Sequence, residues 1–155
     1  MNFSSKEDIE SSIDSVFAAV TDFDSFERAA LRRGAEVQRV DDLPEPGVGM
    51  RWEVGFTLRG KERELALDMT EYDAPQKLVL TGVSQGLEGT MAIELVAMSR
   101  TRTRMTSDIT LSATTLSARL LLQSMKLGRA TLNKRFHLRM AEIATEVEER
   151  ARHIG

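Results

Sequence analysis

The sequence predicts an α+β domain. It consists of a curved antiparallel sheet of about seven strands wrapped around a long C-terminal helix, with two short helices after the first strand. Three observations predict this. From Ala35 to Ala113 the apolar residues recur at every second position, in runs broken by turn residues. The runs follow one another at roughly 10 to 14 residues, which leaves no room for the crossover helices of a parallel sheet. Beyond Ala113 the pattern is helical: residues 114–152 hold no proline, a single glycine (Gly128) and many strong helix formers. A curved sheet with one open apolar face must be covered, and that helix is the only element long enough to do it.

Each element has its local reason. Residues 2–10 are short and mixed, with Phe3 and Ile9 the only large apolar side chains, and read as an edge strand. Ser11 or Ser12 caps the first helix, with Asp14 in its first turn and Val16, Phe17 and Val20 as its buried face. Thr21 and Asp22 restart the chain, and Phe23, Phe26, Ala30 and Leu31 follow at helical spacing as far as Gly34. Val37 and Val40 begin the strands, and "DDLPEPGVG" is a loop. In "MRWEVGFTLRG", Met50, Trp52, Val54, Phe56 and Leu58 alternate strictly with wet-face residues. "KERELALDMTEYDAP" places Leu65, Leu67 and Met69 on one side, after a hairpin turn at Gly60-Lys61. "QKLVLTGVSQG", "GTMAIELVAMS" and "TRTRMTSDITLSA" complete the sheet, and residues 114–152 form one long helix. No repeat or linker divides the chain, so residues 1–155 are read as a single domain.

Bulk numbers narrow the function. Net charge is −3, from 21 basic and 24 acidic residues, without the basic excess of a general nucleic-acid binder. No cysteine is present, which excludes disulfides, thiolate nucleophiles and cysteine-ligated metals. No apolar run approaches a membrane span and no secretory signal opens the chain, so a cytoplasmic location without integral membrane association is expected. The two histidines, His137 and His153, are not placed together, so no metal site is expected. No cofactor motif appears either.

The order of elements, together with "IESSIDSVFAAVTDFDSFERAA" (9–30), "PGVGMRWEV" (46–54) and the final helix, resembles the START-like, helix-grip superfamily. This group is also called SRPBCC, or the polyketide cyclase/dehydrase and lipid-transport group. The resemblance covers nearly the whole chain and rests on soft patterns, because the superfamily has no universal active-site motif. It implies an apolar cavity between sheet and helix. Its members bind lipids, sterols, polyketides, quinones or other apolar molecules, and a few do chemistry on them.

Candidate site residues follow from phase. Trp52, Val54, Phe56, Leu67, Met69, Leu80, Ile93, Leu95, Met105 and Ile109 project towards the helix. By themselves such stripes mean packing; the resemblance implies that a contiguous part lines the cavity. Trp52 is the only Trp, and its indole N–H needs a partner if buried. Ser107 and Thr81 are the small polar groups nearest the apolar face, and Tyr72 is a possible donor beside a turn. With residues about 100° apart on the helix, Leu121, Met125, Leu132, Phe136, Ile143 and Val147 gather on the sheet-facing side. Arg129 falls among them. It is read either as a cavity cation for a ligand carbonyl or carboxylate, or as a snorkelling residue at the mouth. Met125, Arg129 and Leu132 therefore join the expected ligand set. Leu116, Leu120, Leu127 and Leu138 form a second apolar stripe, a candidate homodimer surface or portal. Arg100, Arg102 and Arg104 read as a solvated outer face, as do Glu53, Glu64 and Asp68.

Binding of a small hydrophobic molecule is thus the leading expectation. A cyclase or aromatase-type enzyme using the same cavity is the alternative. A ligand-free interaction module is the third.

Overall fold

The computed structural model describes residues 1–154. The chain begins with β1 (Asn2–Ile9), α1 (Ile13–Val20) and α2 (Phe23–Arg32). Six strands follow: β2 (Glu36–Arg39), β3 (Arg51–Leu58), β4 (Lys61–Asp73), β5 (Lys77–Ser84), β6 (Leu87–Ser99) and β7 (Arg102–Ala113). Two helices end it, α3 (Leu116–Leu127) and α4 (Arg129–Ile154). The strands form one antiparallel sheet in the order β1-β7-β6-β5-β4-β3-β2. Every neighbour is a sequence neighbour except β1, which adds to β7 at the edge.

Both short helices carry side-chain caps. Ser12 Oγ accepts from Ser15 N–H and Asp22 Oδ1 from Ser25 N–H. Two tight hairpins have positive φ at both central residues, Arg59-Gly60 and Gln85-Gly86, as primed two-residue turns require. The first lies one residue earlier than the sequence suggests. The second starts β6 at Leu87 rather than Gly89. It has a close neighbour too: a Cβ on Gly86 would collide with the Thr115 side chain, and Thr114 N–H donates to the Gly86 carbonyl. The turn thus fixes where α3 begins. The sheet bends at irregularities after Met69 in β4 and after Ala97 in β6.

The long helix is not continuous. Gly128 leaves helical geometry, with φ −103° and ψ 22°, and caps α3. Gly is the one residue in this stretch with a substantial helix penalty, about 1 kcal/mol relative to Ala. α3 turns Ala118 and Leu122 inward, and α4 turns Met140, Ala144, Val147 and Ala151 inward. α4 packs on α1 and β1, with Phe136 against Phe3 of β1. The core gathers Ile9, Val16, Ala19, Met50, Met69, Leu78, Leu95, Met105 and Val147.

Candidate functional site

On most strands the inward residues change from fully buried at one end to partly exposed at the other. From Met50 into β3 they run Met50, Trp52, Val54, Phe56; on β4 Met69, Leu67, Leu65, Arg63; on β7 Met105, Ser107, Ile109, Leu111. Pairing staggers these gradients, because the row Trp52, Leu67, Gly82, Gly89, Leu111 is buried at Trp52 and partly exposed at Leu111. The result is a concave apolar groove with three lobes that share Leu80.

The inner lobe, of about 190 Å³, lies between the sheet and α4. Leu78, Leu80, Ile93, Met105 and Ser107 line it from the strands, and Met140, Ile143 and Val147 from the helix. The second, of about 270 Å³, lies under α2 and is walled by Phe23, Phe26, Trp52, Val54, Leu65 and Leu67. The third, of about 360 Å³, opens along β3–β7 between Phe56, Leu65, Leu67, Met91, Ile109 and Leu111. Gly82 and Gly89 pair directly across β5 and β6 on its floor. A Cβ on Gly82 would stand 2.9 Å from Leu65 Cδ1, and one on Gly89 3.0 Å from Leu111 Cδ2. The tips of Leu65, Leu67 and Leu111 thus lie over the two glycines, and a side chain at either position would have to displace them. A glycine in a strand interior commonly marks such a close approach.

Few polar atoms face this surface. The Trp52 indole donates to Glu27 Oε1 at 2.7 Å, and Phe23 stacks on the same ring at 5.4 Å. Arg150 of α4 lies over the Phe26 ring at 5.0 Å. These contacts lock the aromatic wall of the second lobe. Ser107 is 1% exposed and its hydroxyl has no hydrogen-bond partner among the described residues. Ser5 stands opposite it on β1, with an equally unpartnered hydroxyl. Ser84, which lines the third lobe, is the other serine of this kind. A buried polar atom left unpaired costs about 1–3 kcal/mol, so such a group stands out in a mostly apolar lining.

Nine of the fourteen expected ligand residues line the groove: Trp52, Val54, Phe56, Leu67, Leu80, Ile93, Met105, Ser107 and Ile109. Met69 and Leu95 point inward but are fully buried in the packed end. Met125, Leu132 and Arg129 do not line it. The angular count along one unbroken helix fails at Gly128. Arg129 is exposed, and its guanidinium donates to the Asn2 carbonyl at 3.4 Å. The inward-facing arginine is instead Arg63, in phase with Leu65 and Leu67 and opposite Phe56, with its Nε lacking a partner. Thr81 points to the outer face, 3.1 Å from Thr70 Oγ1. Tyr72 packs edge-on to Phe17 in the core rather than at a turn, and burial raises its pKa. Arg102 and Arg104 pair with Glu10 and Asp8 across the outer face, each at 2.9 Å. Phase missed the α2 wall, Phe23 and Phe26, whose helical spacing was legible but whose partner surface was not.

No protein-family model matches the chain, and no curated protein does. Solved structures do. Norcoclaurine synthase from Thalictrum flavum, solved as a point mutant with a transition-state analogue, is 14% identical over 96% of this chain and 94% of its own, with a TM-score of 0.66. The Zhui aromatase/cyclase from a Streptomyces species is 13% identical over 100% and 98%, with a TM-score of 0.65. A START superfamily protein from Mycobacterium smegmatis is 9% identical over 86% and 95%, with a TM-score of 0.57. At these identities the likeness is one of fold. The chain has the helix-grip fold that its sequence resembles, and its function must be argued from its own groove.

Proposed function

We propose that the protein binds a small, elongated, uncharged hydrophobic molecule in the groove between the sheet and the C-terminal helix. The glycine-floored third lobe carries this reading. A core under selection for stability alone is close-packed, whereas here an apolar concavity of about 360 Å³ is left between β3 and β7, with two paired glycines in its lining. Ligand sites of this kind are mostly apolar with a few placed polar groups. The unpartnered hydroxyl of Ser107, in the lining of the inner lobe, suits a hydroxyl or carbonyl at one end of the ligand. No unpaired carboxylate or cation lines the inner lobe, which favours a neutral end group there.

Carriage or storage is favoured over catalysis. Acid–base chemistry needs at least two polar groups converging on one reacting atom. Ser84 aligns with Ala113 through Leu87, six positions along β7 from Ser107, so the two hydroxyls are on the order of 20 Å apart. They can hold two ends of a molecule, but not one bond.

Native mass spectrometry of freshly purified protein, followed by organic extraction, tests the reading. A co-purifying neutral apolar molecule is the expected result. A clean apo mass would sink it if neutral lipids, quinones and aromatic polyketides also left Trp52 fluorescence and the melting temperature unchanged.

A further inference from the structure

We propose that the outer face of α3 and the first turns of α4 docks on an anionic lipid surface. The inference starts from how the charge is distributed. Residues 109–141 contain six basic side chains, Arg119, Lys126, Arg129, Lys134, Arg135 and Arg139, and no acidic one. With 21 basic and 24 acidic residues in all, the rest of the chain holds 15 and 24 and carries −9. A segment of +6 thus stands on an otherwise acidic protein. Among the described residues, only Arg139 of the six has a carboxylate partner, Glu142 at 2.9 Å.

The same segment exposes leucine. Leu116 is 73% exposed, Leu120 56%, Leu127 91% and Leu138 58%. Leu120 and Leu127 follow Leu116 by 4 and 11 residues, close to one and three helical turns, so the three form one ridge. Ala118 and Leu122 bury the opposite side of α3 against the sheet, which holds the ridge outward. By helical spacing Arg119 and Lys126 fall about 60–80° to one side of it. Cations in that position snorkel to headgroups while leucines enter the acyl boundary. Among the described residues no helix is long and apolar enough to cross a membrane, so the contact proposed is a peripheral one.

Other occupants fit less well. A second copy of this chain meeting the same face would bring the two basic segments together, which an isologous contact cannot avoid. Nucleic acid would satisfy the cations but would leave exposed leucines with no apolar partner. An anionic bilayer meets both requirements. This inference rests on the outer helix face and does not depend on what the groove binds.

Co-sedimentation with phosphatidylcholine vesicles, with and without a one-third share of phosphatidylglycerol, is the test. The protein is expected to partition onto the anionic vesicles and to be released by salt. Lys134→Gln or Lys126→Gln should weaken partitioning on the order of fivefold each, the equivalent of about 1 kcal/mol per charge. The double variant Leu120→Gln/Leu127→Gln should weaken it on the order of tenfold or more. These side chains are exposed, so the variants keep the melting temperature of the parent. Three results would overturn the proposal: no partitioning, equal partitioning onto neutral vesicles, or a dimer in sedimentation that the leucine variant dissolves. Binding that RNA abolishes, with the leucine variant unaffected, would do the same.

Discussion

At one end of the sheet Met50, Met69, Leu78, Leu95 and Met105 are fully buried against α1 and α4; at the other, Phe56, Leu65, Leu80, Ile109 and Leu111 are only partly buried. Both ends use small residues. At the packed end they are Ala19, Ala144 and Ala151, all fully buried on helices that meet the rest of the core. At the open end they are Gly82 and Gly89, over which the tips of Leu65, Leu67 and Leu111 lie. At the packed end a small side chain lets two elements approach. At the open end it admits only flexible side-chain tips, which line the groove. The packed end holds the fold, and the open end leaves apolar surface for another molecule to cover.

The largest expected effect is at the packed end. Met69→Ala removes a buried side chain and should cost about 2–5 kcal/mol. Leu65→Ala, four residues earlier on the same strand, removes a side chain that is only partly buried and should cost less. Urea unfolding of both variants measures the difference. Equal losses would mean that the groove is as tightly packed as the core, and the distinction between the two ends would fail.

Gly89→Val is next in size and opposite in character. It places a β-branched residue, favoured in strands by up to about 1 kcal/mol, on the floor of the third lobe. Leu111, whose flexible tip is the near neighbour, can turn aside. The variant should keep or gain stability while ligand uptake, read by Trp52 fluorescence and by extraction, falls at least tenfold. Loss of stability with unchanged uptake would show that the glycines serve the strands and not the groove.

How far the sequence foretold this follows from the physics of each element. Alternation with period two identifies the inward face of a strand without any knowledge of its partners, so Trp52, Val54, Phe56, Leu67 and Ile109 were legible. Whether an inward residue is packed or lines a hollow depends on what stands opposite, and Met69 and Leu95 could not be told apart from Leu67 and Ile93. Of the two readings of Arg129, the cavity cation fails because the angular count was carried through Gly128 as one helix, although glycine is a common helix stop and ends α3 here. Arg63 shares the phase of Leu65 and Leu67, so its inward direction was readable. The Gly82–Gly89 pair was readable too: a two-residue turn at Gln85-Gly86 pairs Ser84 with Leu87 and hence Gly82 with Gly89. Starting β6 at Gly89 hid it.

Ser107→Ala probes the inner lobe on a smaller scale. The hydroxyl has no partner in the protein, so its removal should raise stability of the empty protein by up to about 1 kcal/mol. Affinity for a ligand bearing a hydroxyl or carbonyl should fall on the order of tenfold, the equivalent of one hydrogen bond of about 1.5 kcal/mol. The two signs separate binding from folding. If stability falls as well, the hydroxyl is a structural group and the polar end of the ligand lies elsewhere.

The smallest effect concerns the loop that leads into β3. Asp41 accepts from Arg39 Nε and Nη2, each at 2.9 Å, and from the backbone N–H of Leu43 and Arg51 at 3.0 and 2.9 Å. It thereby pins the chain next to Met50, in the packed end. The Arg39 hydrogen bonds, followed by that of Arg51 N–H, hold the Asp41 carboxyl well below its usual range. A carboxyl lowered in the folded state stabilises the fold above its unfolded value, near 4, and that contribution is lost as pH falls through the lower native value. Asp41→Asn should therefore melt below the parent at neutral pH, and the gap should close as the pH is taken down through the acid range. Uptake into the third lobe, which Asp41 does not touch, should be unaffected at neutral pH. A gap that stayed constant with pH would mean that the carboxylate charge contributes nothing beyond the shape of the loop.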